Sequence, residues 1–243
     1  TGVSCGVDSL HVFATQNDIT HACIWNLHGV NINDTLEIRE LGWQNMVDQA
    51  QRFCAETGHK LVIGNTNFDR GCFDNLQYDG SSTYSNLFAV LCLQKMWKKY
   101  YIASGYSIKD FCLDKSVFAD PAYYEYLLFP FVSGSYYSVR MGAPELPRID
   151  KVKDLISYEP ARKFLNVCFV IHSDHRNGTN DCPKCMRTIL NLWAWDALDE
   201  FSEVFDIDYV KEHPEDYLAE LYRGYLQRDP FALEKKKYLY WLK

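Results

Sequence analysis

Apolar and polar positions along this chain change their period several times, alternating between helical spacing and continuous apolar runs. Ser9 to Gln16 places Leu10, Phe13 and Ala14 on one face and predicts a short helix. Thr20 to Leu27 is a nearly continuous apolar run, as in a strand covered on both faces. Trp43, Met46, Val47, Ala50, Phe53 and Cys54 then recur at helical spacing, and Gly58 supplies a C-terminal stop. Lys60 to Gly64 predicts the next strand, Asn65 to Ser82 a polar and aromatic loop, Tyr84 to Lys99 an apolar helix, and Tyr100 to Ser104 a third strand. Asp120 and Pro121 form an N-cap and first-position pair that opens a helix through Tyr123 to Leu128, which Pro130 should end. Ser138 to Met141 predicts a strand, Gly142 to Arg148 a loop, Lys151 to Ser157 a helix, Leu165 to Ile171 a last strand, and the chain beyond Pro183 is helical.

This alternation is the signature of an α/β domain with a mainly parallel sheet. No repeat or linker interrupts it. Residues 1–165 therefore read as an α/β domain, and residues 166–243 as a helical extension packed on the same body.

Composition narrows the function classes. The hydrophobic share is 47% and the charged share 23%, the profile of a folded globular chain. A net charge of -7 provides no basic field for an extended nucleic acid. No apolar run approaches the roughly 20 residues of a membrane span. The nine cysteines are spread through apolar segments, which suits free thiols in a reducing compartment, so the chain reads as cytoplasmic and the sequons at Asn33 and Asn177 carry no weight. Tyrosines cluster at Tyr123, Tyr124, Tyr126, Tyr136 and Tyr137 without interleaved basic residues, which suits packing and a contact between two copies as a homodimer.

The richest local chemistry is Ser4-Cys5-Gly6-Val7-Asp8-Ser9, placed directly before the first helix. Backbone N–H groups and the positive end of a helix dipole meet there, an arrangement that accepts a phosphate. A serine-rich helix start with no ligand has the same appearance. The segment lacks the Gly-Lys-Ser/Thr of a Walker A loop and the G-x-G-x-x-G of a dinucleotide fold. It resembles the Ser-Gly-Gly-x-Asp-Ser loop of the PP-loop ATP pyrophosphatases (adenine nucleotide alpha hydrolase-like), matching at five of six positions, with Cys5 in place of the first glycine. In layout the chain is most similar to the 7-cyano-7-deazaguanine synthase-like members.

That resemblance implies a Rossmann-like (HUP-type) parallel sheet and cleavage of ATP between its α and β phosphates. AMP would go to a carbonyl oxygen of a small-molecule substrate, making it a leaving group for a nitrogen or sulfur nucleophile. Ser4, Cys5, Gly6, Val7 and Ser9 would hold the pyrophosphate portion, and Asp8 would fix the loop or a Mg2+ ion, with Asp8 and Ser9 the catalytic pair. A leading strand would precede the loop, and the start at Thr1 reads as cut. A protein that binds the nucleotide without turning it over is the alternative that Cys5 raises. Strand ends are the natural place for the rest of such a site. They supply Asn26 and His28, Asn65 and Thr66, and Ser104 and Gly105. Arg148 and Arg187 are the cations nominated for phosphates or an anionic substrate.

Cys182 and Cys185 form a Cys-x-x-Cys pair at the start of a helix. Three readings stay open. Cys168 with His172 or His175 can complete a zinc site around the pair. A helix N-terminus can activate a thiol for redox or sulfur-transfer chemistry. Two thiols can also simply be buried, with Asp181 capping the helix. The resemblance favours zinc, because the deazaguanine synthases carry a four-cysteine zinc site in the corresponding late region.

Overall fold

The computed structural model describes residues 1–27, 35–66, 78–113, 120–168, 177–179, 182–227 and 232. It is a mixed α/β structure with short parallel sheets. Strand β1 (His21–Asn26) pairs with β2 (Lys60–Asn65), Cys23 opposite Val62 and Asn26 opposite Asn65. Strand β3 (Lys99–Ala103) pairs with β4 (Ser138–Gly142), Tyr101 opposite Arg140. Thr1 to Val3 join the two pairs. The Val3 N–H donates to the Cys23 carbonyl and the Cys23 N–H to the Thr1 carbonyl, both at 2.8 Å, while Thr1 Oγ1 donates to the Tyr101 carbonyl at 2.8 Å. Strands β1 and β2 lie on one side of Thr1 to Val3, and β3 and β4 on the other.

Parallel pairing requires crossovers, and helices provide them. Helix α1 (Val7–Thr15) buries Val7, Leu10, Val12 and Phe13. It rests directly on the end of β4, where a Cβ on Gly142 would come within 2.2 Å of Val12 Cγ2, so only glycine permits this approach. Helix α2 (Leu36–Thr57) starts well before the apolar stripe that predicts it, because Thr35 Oγ1 caps the Ile38 N–H at 3.3 Å. Gly58 ends it with φ at 75°, in the left-handed region. Val47, Ala50, Phe53 and Cys54 are buried as the stripe requires, whereas Met46 is exposed. Phe53 meets Phe13 at 4.9 Å and Phe164 at 5.7 Å, edge to face, closing the core beneath α1.

Three expectations about elements need correction. Helix α3 spans Tyr78–Cys92, so Ser81 and Ser82 lie inside it and not in a loop, and it stops short of the predicted end at Lys99, which begins β3 after a 3-10 turn at Gln94–Met96. Within the helix Ser85 Oγ donates to the Ser81 carbonyl at 3.0 Å and Asn86 Nδ2 to the Ser82 carbonyl at 2.8 Å, so these polar side chains bond inside the helix and not in a turn. Pro121–Tyr123 is a separate 3-10 turn, and helix α4 (Glu125–Val132) contains Pro130 where a stop was expected. One lost N–H is outweighed there by full burial of Phe129. Leu165 to Cys168 form no strand. The buried Asn177 amide takes the bonds a neighbouring strand would offer: its Oδ1 accepts from Val167 at 2.8 Å and Cys168 at 3.2 Å, and its Nδ2 donates to the Leu165 carbonyl at 2.8 Å. Residues 169–171 of that predicted strand lie outside the described residues.

Helix α5 (Arg148–Ile156) and helix α6 (Glu159–Phe164) follow β4. Helix α7 (Pro183–Ala194), helix α8 (Ile207–Glu212) and helix α9 (Pro214–Leu226) complete the described structure. Val3, Phe53, Leu165, Ile189, Phe205 and Tyr217 belong to a single buried cluster, so the late helices share the core of the α/β body. Among the described residues, no helix is long and apolar enough to cross a membrane.

Candidate functional site

The loop before α1 is built almost entirely from its own hydroxyls. Ser9 Oγ accepts from the Ser4 N–H at 3.2 Å and donates to the Gly2 carbonyl at 3.1 Å. Ser4 Oγ accepts from the Gly6 N–H at 3.3 Å. Ser9 is therefore committed to loop shape, whereas Ser4 is exposed. The N–H groups of Val7, Asp8 and Ser9 fall in the first turn of α1, where a helix provides no acceptors of its own.

Cys5 sits at φ 55°, one of three described non-glycine residues with positive φ. Glycine adopts this conformation freely, and it costs a cysteine about 1–2 kcal/mol. Its side chain is buried, and burial, with Cys54 nearby, pushes the thiol well above its ordinary range. The Cys5 carbonyl accepts from the Asn166 N–H at 2.8 Å, which ties the loop to the segment after α6.

Asp8 is the centre of charge. Its Oδ2 is paired with Arg148 Nη2, and its Oδ1 accepts from Lys151 Nζ at 3.3 Å. Lys151 is 1% exposed and also donates to the Ser104 carbonyl at 2.7 Å. Burial pushes the Asp8 carboxyl up, but Arg148 and Lys151 outweigh it and hold the pKa below the ordinary value. The predicted residues Asp8, Ser104 and Arg148 thus come together. Arg148 opens α5, where a loop residue was predicted, and Lys151 lies one turn later on the same face.

Glu125, the first residue of α4, is a second buried carboxyl of this region. Thr83 Oγ1 donates to its Oε1 at 2.6 Å, and its Oε2 has no hydrogen-bond partner. Burial raises its pKa to about 7, with further upward push from Asp120 and Asp8, against the Thr83 hydrogen bond and Lys151. Sequence reasoning missed Lys151, Glu125 and Thr83. Placement was the available signal, since α4 follows β3 and α5 follows β4, which puts the starts of both helices at the carboxyl edge of the sheet.

Other nominated residues are placed differently. Asn26 Nδ2 donates to Asn65 Oδ1 at 3.1 Å, so the two strand ends bond each other. Thr66 is half-buried after β2, and Gly105 follows Ser104 with open space around its Cα. Arg187 is half-buried on α7 and is not among the described partners of Asp8. His28, His172, His175 and Asp181 lie outside the described residues.

A second site lies at the start of α7. The sulfurs of Cys168, Cys182 and Cys185 lie within 4.8 Å of one another and could hold a metal ion. Cys182 and Cys185 are fully buried and Cys168 is half-buried. Hydrogen bonding to Cys168 and Cys182, then burial, pushes the Cys185 thiol far above its ordinary range. A buried thiol with a raised pKa is a poor nucleophile. Soft sulfur donors at this spacing fit a thiophilic metal.

Comparison with known proteins returned no matching family model, no matching curated protein and no matching solved structure.

Proposed function

We propose that this chain is an ATP-dependent, AMP-forming enzyme that adenylates a small molecule for attack by a nitrogen or sulfur nucleophile. The observation that carries this reading is the meeting of the Ser4–Ser9 loop with the Asp8, Arg148 and Lys151 cluster. The meeting occurs where parallel strands run to either side of Thr1–Val3. Ligands of open parallel sheets bind at such switch points, outside the carboxyl ends of the strands. The two parallel pairs support a Rossmann-like sheet of the HUP type. First-turn N–H groups and two cations are complementary to a polyphosphate, and their pre-set positions favour charge that develops on phosphate oxygens during cleavage.

Of the two tasks expected of Asp8, its pairing with Arg148 and Lys151 supports fixing the loop start against α5. Mg2+ would enter with ATP as its counter-ion. Incubation with ATP, magnesium and candidate carbonyl substrates is expected to release AMP and pyrophosphate in equal amounts; release of ADP and phosphate would overturn the reading. Cys5 gives limited support to the alternative of nucleotide binding without turnover, because it follows the backbone path a glycine would take.

The thiol cluster supports a structural zinc site held by Cys168, Cys182 and Cys185, and burial of the pair argues against sulfur transfer. Zinc would fix the N-terminus of α7 to the segment after α6, with the thiols giving up their protons as they bind. Metal analysis of the purified protein is expected to find close to one zinc per chain, and the double change Cys182→Ser, Cys185→Ser to remove it. A zinc-free preparation that keeps its stability in the presence of chelator would sink the assignment.

A further inference from the structure

Helix α4 is apolar on its inner and its outer side. Its inner side buries Phe129 beside Glu125, with Leu128 and Val132 half-buried against the cluster that holds Tyr100 and Val139. Its outer side carries Tyr126, Leu127, Pro130 and Phe131, which share one face at helical spacing and are all exposed, Phe131 to 86%. A surface helix normally turns a polar face to water, and a helix that is hydrophobic all round belongs in an interior. The turn that follows adds another ring. Tyr137 donates its hydroxyl to the Val132 carbonyl at 2.7 Å, and the Gly134 N–H donates to the Tyr137 carbonyl at 3.0 Å, which leaves Tyr136 directed outward and 93% exposed. Helix α3 packs on the same buried cluster through Leu87 and Val90 and exposes Tyr84 and Phe88, one turn apart. The outer sides of the two helices meet where the Tyr84 and Tyr124 hydroxyls bond at 2.8 Å.

Charge is the second observation. The chain is 23% charged, yet residues 80–94 carry no charged side chain and residues 121–139 carry only Glu125, which is buried. Arg140 follows directly, but it alternates with the core residue Val139 along β4 and so leaves the sheet on the other face. The exposed side chains of α3, α4 and the Tyr136 turn present roughly 700 Å2 per copy. That exceeds the largest apolar patch of an ordinary monomer, about 300–600 Å2, and two such faces bury about 1,400 Å2, within the range of a stable interface. We infer that this face docks a second copy of the chain in a two-fold contact centred on Phe131 and Tyr136. Two-fold pairing sets a face against itself, where like charges would repel, and this face presents none among the described residues. A nucleic acid or an anionic membrane surface calls for the Lys and Arg side chains that it lacks. Helix α9 exposes Tyr222, Tyr225 and Leu226 as well, but Glu220 and Arg223 are interleaved with them and pair with each other, so that helix keeps a polar surface. The contact is independent of the nucleotide reading.

Sedimentation equilibrium of the full chain measures the mass in solution. Wild type is expected at twice the chain mass of 28.3 kDa. Its dissociation constant is expected to stay level or tighten between about 0.1 M and 1 M salt, because no charge pair crosses the contact. Phe131→Asp and Tyr136→Asp each set a carboxylate against its own copy. Each is expected to weaken the dimer at least about tenfold, and the double variant about 100-fold or more. Both positions are exposed in the single chain, so circular dichroism of the variants is expected to match wild type. Tyr222→Asp, on α9, is expected to leave the mass unchanged. A wild type that stays monomeric up to about 100 μM overturns the proposal. So does a dimer that salt dissociates, that survives the double variant, or that Tyr222→Asp dissolves. Monomeric wild type that co-sediments with phosphatidylcholine–phosphatidylserine vesicles overturns it in favour of a lipid surface.

Discussion

Replacing Asp8 with Asn is expected to abolish AMP formation and to lower folding stability by about 3–5 kcal/mol. Removing the carboxylate leaves Lys151 and Arg148 charged without the anion they share. Lys151 is 1% exposed and keeps only the Ser104 carbonyl, and Arg148, at 13% side-chain exposure, loses its carboxylate. Denaturant unfolding at neutral pH measures the loss. The same cluster gives an acid limb. A carboxyl with a depressed pKa contributes stability above its unfolded value, near 3.9, and loses that contribution as pH falls through its lower folded value. Wild type is expected to lose stability below about pH 4 along this limb, and Asp8→Asn is expected to lack that component. Neutral-pH stability within 1 kcal/mol of wild type would show that the cluster holds little of the fold.

Glu125 produces the second large effect, with the opposite sign. Its folded pKa, raised from 4.5 to about 7, lies above its unfolded value, so the folded chain binds more protons across that window. The corresponding stability is fully present below about pH 4.5, is lost as pH rises through about 7, and amounts to roughly 3 kcal/mol. In Glu125→Gln this dependence disappears. The amide adds a constant cost at every pH, because it leaves a buried donor unpaired, so the comparison is between slopes and not between absolute values. The measurement is a set of unfolding curves at half-unit steps from pH 5 to pH 8.5. Parallel curves for the two proteins would show that Glu125 does not titrate in this range.

Local chemistry was legible in the sequence where neighbours along the chain are also neighbours in space. Ser4, Gly6 and Ser9 announce a loop at a helix start, and they bond one another across at most five residues. Strands β1 to β3 are likewise marked by their apolar runs. Glu125 and Lys151 carry no such mark. Thr83 reaches Glu125 from 42 residues away and Asp8 reaches Lys151 from 143, so only the folded crossovers reveal those pairs. Lys151 even sits on the buried face of α5 with Ile149, Val152 and Leu155, where periodicity alone favours an apolar residue. Leu165 to Cys168, the described part of the last predicted strand, form none for a related reason. An apolar run reports burial, but it cannot reveal that a side-chain amide from Asn177 satisfies its backbone instead of a partner strand.

That amide-held run also spans two chemistries. At Asn166 its N–H grips the carbonyl of Cys5, and two residues later Cys168 joins the thiol cluster. About 7 Å of extended chain covers such a distance. Asn166 Nδ2 is anchored to Gln49 Oε1 at 2.7 Å, and Gln49 Nε2 in turn to the Phe164 carbonyl at 2.7 Å, so the run is braced along its flank. It behaves as a strut with a joint at either end: an insertion or a kink between residues 166 and 168 displaces the sulfur cage and the loop backbone together, however conservative the substituted side chain.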